Sequence, residues 1–190
     1  MATLDRDRAW DLLCRYTESE RLRKHGLAVE AVMRAYAGVY GEDPELWGLT
    51  GLLHDFDYER WPDQHPASGS AILRAEGYPE EMVEAIRRHG NHLGLQRETL
   101  LARCLNACDE ITGFVVAVAR VRPGGFEGLE PKAVVKKLKD KAFARGVSRE
   151  DVQQGLEEIG VERDVHIARV IEALTPLGAT LLTDGAGGGG

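Results

Sequence analysis

The sequence predicts an all-α fold, and three observations carry that prediction. Apolar residues recur at helical spacing along nearly the whole chain. Helix-start chemistry stands before several of those runs, and no run alternates convincingly in the manner of a strand. Trp10, Leu13, Cys14 and Thr17 fall at i, i+3, i+4 and i+7 and define a first amphipathic helix. A second runs from about Arg21 to Tyr40, with Leu22, Val29, Val32, Met33 and Tyr36 on its apolar side. Asp43-Pro44 supplies an N-cap with proline at the first helical position, opening a third helix that ends near His54. From Asp55 to Pro66 the period breaks, and Asp57, Tyr58, Trp61, Pro62 and Asp63 predict an irregular loop.

Helical spacing returns from Ala67 to Ala75, and Pro79 starts a helix expected to reach about His89. Asn91 to Gln96 is a short connection. Thr99 caps a long helix to about Val121, which Pro123, Gly124 and Gly125 end. Pro131 begins a basic helical stretch, Ser148 with Asp151 forms a variant capping box for the next helix, and a last helix spans about Glu162 to Leu177. The expected organisation is a helical core over 1–121, then a basic segment with C-terminal helices packed on it over 122–183. The glycine-rich tail at 184–190 is expected to be disordered.

A chain of 190 residues can bury one core without disulfides. Cys14, Cys104 and Cys108 lack Cys-x-x-Cys spacing and are expected as reduced thiols, the last two facing the core. The net charge of -7 argues against a nucleic-acid polymer or an anionic membrane as partner. The N-terminus lacks a signal-like run, and the longest apolar stretch, Phe114 to Ala119, is too short for a span, so a cytoplasmic location is expected. Charge is uneven: between Arg120 and Arg145 eight basic residues face three acidic ones, a surplus of five that leaves -12 on the rest. That stretch is either a solvated face or an attractor for an anionic substrate. Trp10, Trp47 and Trp61 are expected to pack, and His166, far along the chain on an amphipathic helix, stands outside the candidate site.

Five of the six histidines lie between His25 and His92, one of them in the pair His54-Asp55. Imidazole nitrogen mixed with carboxylate oxygen suits iron, manganese, cobalt, nickel or zinc. A single histidine on a helix is an ordinary surface or core residue; the ordered set points to metal chemistry.

Lys24-His25-Gly26-Leu27-Ala28-Val29-Glu30, then Gly51-Leu52-Leu53-His54-Asp55 and later Asp109, resemble the H, HD and D series of the HD superfamily. His65 through Leu73 resembles the family's H-x-x-x-G-x-x-[IL] helix start, and Ala85 to His89 the helix that delivers a further histidine. The resemblance covers about Arg21 to Gly113. It implies a first metal at His25, His54, Asp55 and Asp109, with His65 and His89 completing a two-metal site that Asp55 bridges. One departure stands out: the common H-D-I-G is His54-Asp55-Phe56-Asp57 here, which alters the turn and adds a carboxylate of unassigned role. His92 is left open between a supporting, a substrate-contacting and a surface residue, and Glu110 between supporting and surface.

The resemblance further implies a metal-dependent phosphohydrolase using metal-activated water, with Asp55 and His54 at the catalytic centre and two divalent transition-metal ions as cofactors. The substrate would be a small phosphorylated molecule, expected to be a nucleotide. In length and ligand spacing the chain is similar to bacterial diadenosine polyphosphate hydrolases. Arg122, Lys136, Lys137 and Lys139 are candidate phosphate contacts if the basic segment folds back over the metals. Two alternatives share the fold: a di-iron oxygenase with the same ligand set, and an inactive domain that senses a nucleotide.

Overall fold

The structure, a computed structural model, describes residues 4–183, apart from the side chain of residue 92. The expectations for the tail at 184–190 and for His92 therefore lie outside what is described. The described residues form ten α-helices and no strand. They are α1 (Arg6–Tyr16), α2 (Glu20–Tyr40), α3 (Pro44–Leu53), α4 (Ala67–Ala75), α5 (Glu80–Arg87), α6 (Leu100–Arg120), α7 (Pro131–Leu138), α8 (Arg149–Ile159), α9 (Arg163–Leu174) and α10 (Gly178–Leu182).

Side-chain caps set half of the starts. Asp5, Ser19, Asp43, Thr99 and Ser148 each accept a hydrogen bond from a first-turn backbone N–H, satisfying a donor that the helix itself leaves unpaired. The capping box at Ser148 is only half formed. Ser148 Oγ accepts from the Asp151 N–H at 3.1 Å, but the Ser148 N–H goes to Glu110 Oε2 at 3.2 Å, so a carboxylate from α6 supplies the reciprocal bond. Two boundaries differ from expectation. Helix α5 stops at Arg87, leaving His89 in the following turn. The last expected helix ends at Leu174, with its final three residues in a 3-10 turn, Thr175–Leu177, that contains Pro176 and precedes the unexpected α10. Proline there lacks the N–H that a continuing helix needs.

The core forms around α6, α2 and α3. Helix α6 buries Leu101, Leu105, Ile111, Phe114, Val115 and Val118, and α3 is buried along nearly its whole length. Leu49, Leu52 and Leu53 are almost fully buried; each such side chain stabilises the fold by about 2 kcal/mol. A methyl group at Gly26 would lie 2.8 Å from the Leu52 carbonyl oxygen, and one at Gly51 would lie 2.8 Å from the Val29 carbonyl oxygen. The backbones can approach so closely because the residue facing each carbonyl is a glycine without a Cβ. This crossing sets His25 of α2 beside His54 at the end of α3, with ring centroids 5.1 Å apart.

The loop after α3 is tied down from both sides. Thr17 Oγ1 donates to the Phe56 carbonyl at 2.9 Å, and Trp61 packs 5.5 Å from the Tyr16 ring. Trp47 is buried and Trp10 is half-buried against the core, and Cys104 and Cys108 are buried free thiols. By length and composition alone, the helical run Arg163–Leu182 could cross a membrane. Its His166, Ile167, Val170, Leu174 and Leu181 are buried against the rest of the chain, as in a core helix.

Candidate metal centre

His54 caps the C-terminal end of α3 and is fully buried. Its Nδ1–H donates to the Gly51 carbonyl at 2.7 Å, which leaves the Nε2 lone pair pointing away from the helix. That Nε2 is buried without a hydrogen-bond partner, 3.3 Å from Asp109 Oδ1 and 3.4 Å from Asp55 Oδ2. A neutral nitrogen lone pair facing two carboxylates is repelled by both. The arrangement is stable only with a proton or a cation among them.

The other donors converge on the same carboxylates. His25 places Nε2 2.9 Å from Asp109 Oδ1. His65 Nε2 lies 3.2 Å and His89 Nε2 3.4 Å from Asp55 Oδ1. Donor atoms of His25, His54 and Asp109 lie within 4.8 Å of one another, as do those of Asp55, His65 and His89. Asp55 turns one oxygen toward His54 and the other toward His65 and His89, so it faces both groups. The structure thus brings together all six residues the sequence singled out as ligands.

Each ring of the second group is fixed through its far nitrogen. His89 Nδ1 donates to the Ile86 carbonyl at 2.6 Å, and His65 Nδ1 donates to Asp57 Oδ1 at 2.7 Å. Asp57 is fully buried, and its second oxygen accepts from the Gly69 N–H at 2.6 Å. A Cβ at Gly69 would fall 2.7 Å from the Asp57 carboxyl carbon, so glycine is what admits this carboxylate. Asp57 therefore orients His65 so that Nε2 faces the site, a support that metal-ligating histidines commonly require. The sequence offered one signal for it, an acidic residue two positions after the His-Asp pair.

The electrostatics follow from this packing. Burial alone would lower the His54 imidazole, but Asp55 and Asp109 outweigh it and hold its pKa well above the ordinary value. His65 shifts the same way to about 9, its burial overcome by Asp55 and Asp57. Burial would raise Asp55 and Asp109, yet the imidazoles around them hold both well below the carboxylate range. Divalent cations can replace the protons that the imidazoles hold, since ligation needs the neutral ring. Glu110 moves the other way, raised to about 7 by burial and then by Asp109.

His25, Asp55, His65, His89, Asp109 and Glu110 line a cleft of about 530 Å³, while His54 and Asp57 are buried behind them. The expected phosphate contacts do not line it. Arg122 donates to the Gly125 carbonyl at 2.8 Å and the Gly128 carbonyl at 3.0 Å, bracing its own turn. Lys137 lies over the Phe143 ring at 4.7 Å, and neither Lys136 nor Lys139 lines the cleft. The basic segment does not fold over the two donor groups because its helix, α7, packs mainly against α9 instead. Only the segment's end reaches the cleft, at Gly146 and Val147, followed by Asp151 of α8. Arg149 holds that end in place, donating to the carbonyls of Asp140, Phe143, Ala144 and Val147 while stacking on Phe114. The sequence reading missed this clip, because an arginine in a first helical turn resembles any surface residue. It also missed Arg21, the one arginine or lysine lining the cleft among the described residues.

Residues 22–113 match the family model of the HD domain. That segment is an HD domain, and it contains every residue of both donor groups. Members of the family are mostly metal-dependent phosphohydrolases. No solved structure gives a significant match.

Proposed function

We propose that the chain is a phosphohydrolase working with two divalent transition-metal cations and acting on a small phosphorylated substrate. His25, His54 and Asp109 would hold one cation, His65 and His89 the other, and Asp55 would serve both. The observation that supports this best is the unpartnered Nε2 of fully buried His54, aimed between two carboxylates. The mixed nitrogen and oxygen donors fit manganese, iron, cobalt, nickel or zinc. When bound, such cations lower the pKa of coordinated water and neutralise charge on phosphoryl oxygens.

The chain's own residues supply position and exclusion. Gly51 and Ile86 carbonyls and the Asp57 carboxylate keep three imidazoles turned inward. Arg21 stands at the cleft to receive a phosphoryl oxygen. In the reaction water oxygen forms the new P–O bond, the ester or anhydride P–O bond breaks, and the departing oxygen takes the proton that water gives up. The test is phosphate release from p-nitrophenyl phosphate by chelator-treated protein with and without added manganese. Release that requires the metal and is lost in Asp55→Ala supports the reading. Full activity in Asp55→Ala contradicts shared ligation by Asp55. Dioxygen uptake by iron-loaded protein with no phosphate release overturns the hydrolase reading.

A further inference from the structure

The wall of the cleft beyond the ligands is acidic. Glu110 of α6 receives only the Ser148 N–H at 3.2 Å, and Asp151 of α8 only the Asn91 side-chain amide at 2.7 Å. Neither carboxylate has an arginine or lysine partner among the described residues. Arg21 faces this wall alone. An apolar side chamber of about 250 Å³ adjoins the cleft past His25 and Gly113, bordered also by Lys24 and Arg120. Both of those cations are already engaged. Lys24 pairs with Glu20 at 2.6 Å and donates to the Thr183 carbonyl at 2.7 Å, and Arg120 donates to the Leu181 carbonyl at 2.9 Å.

Charge then limits what the cleft accepts. Two divalent cations with Arg21 bring five positive charges against the carboxylates of Asp55, Asp109, Glu110 and Asp151, leaving no more positive charge than one phosphoryl dianion takes up. Each further phosphate would need a further cationic contact. A substrate group carrying O–H or N–H donors, by contrast, would find acceptors in Glu110 and Asp151. We propose that the cleft selects a phosphomonoester whose organic part bears hydroxyl or amino groups, and that it disfavours nucleoside polyphosphates. Sugar phosphates and nucleoside monophosphates share the selected chemistry. The inference rests on the phosphohydrolase reading, and the reaction is the same hydrolysis, with the alcohol leaving protonated and inorganic phosphate as the other product.

The experiment compares kcat/KM of the manganese-loaded full chain on ribose 5-phosphate, propyl phosphate, p-nitrophenyl phosphate and a nucleoside triphosphate. One charge-assisted hydrogen bond gained or lost predicts a preference for ribose 5-phosphate over propyl phosphate of roughly ten- to a hundredfold. The triphosphate is expected to be slower still. In Asp151→Asn, KM for ribose 5-phosphate is expected to rise while metal content stays unchanged, and the handicap of the triphosphate to shrink. A preference for the triphosphate, or an unchanged ribose 5-phosphate to triphosphate ratio in Asp151→Asn, overturns the inference while p-nitrophenyl phosphate turnover keeps the hydrolase reading intact. Hydrolysis of none of the four overturns both.

Discussion

His54 and His166 are both fully buried, and each gives one ring nitrogen to a backbone carbonyl: His54 to Gly51 at 2.7 Å, His166 to Ala107 at 2.9 Å. The second nitrogen separates them. His166 Nδ1 pairs with the Tyr36 hydroxyl, whereas His54 Nε2 has no hydrogen-bond partner and confronts two carboxylates. Burial, with Arg169 nearby, drives the His166 pKa down to about 4, the Ala107 carbonyl only partly opposing it. The carboxylates drive His54 the other way. Burial alone therefore says little about a histidine. A satisfied ring is a structural strut between helices, and an unsatisfied one beside acids is a ligand in waiting.

Breaking the His54 side of this comparison has the largest expected effect. His54→Ala should bring metal-dependent phosphate release to background, with metal content falling and the helical circular dichroism kept. Next comes the support behind the ligands. Asp57→Ala frees His65 to rotate and should weaken the second cation by about 10- to 100-fold, leaving the first unchanged in a competition titration with a chromogenic chelator. Equal weakening of both would show that Asp57 acts through the fold instead.

On the His166 side, Tyr36→Phe should cost about 1–3 kcal/mol in denaturant unfolding, because it leaves a buried ring nitrogen unpaired, while metal stoichiometry stays the same. Altered stoichiometry would show that the two regions are coupled. The pH dependence sharpens the contrast further. The folded pKa of His166, about 4, lies below an unfolded value of about 6.5. The unfolded chain then binds more protons as pH falls, so this group's stability is full above about 6.5 and lost progressively toward pH 4. His65, at about 9 when folded, has the opposite sign in the metal-free protein: its contribution is full below about 6.5 and lost as pH rises through 9. Tm of the chelator-treated protein should therefore fall on both sides of a maximum at about pH 6.5, and bound metal should remove the alkaline decline. The smallest effect is expected for Lys136→Ala with Lys137→Ala. Neither lysine lines the cleft, so KM should move by less than about twofold.

Much of this was legible in the chain. Helical spacing and capping residues located α1 to α8 closely, because those signals are local. The six residues of the two donor groups were legible because order and residue type carry them: a histidine on α2, the His54-Asp55 pair, two later histidines and Asp109. What could not be read depends on distant segments meeting. The partner of Asp57 is a histidine eight residues on, across an irregular loop, and the Glu110 bond to Ser148 joins α6 to the start of α8. The basic segment misled because its composition gives charge but no direction. Helix α10 was missed because Pro176 and Gly178 mark a break, and nothing local signals that a helix resumes.

The most direct test is the metal stoichiometry of chelator-treated protein titrated with manganese at neutral pH, wild type beside His54→Ala. The wild type is expected to bind close to two equivalents and the variant fewer than one strongly, with both proteins folded. No binding by the wild type, or the same stoichiometry without the His54 imidazole, would contradict that expectation.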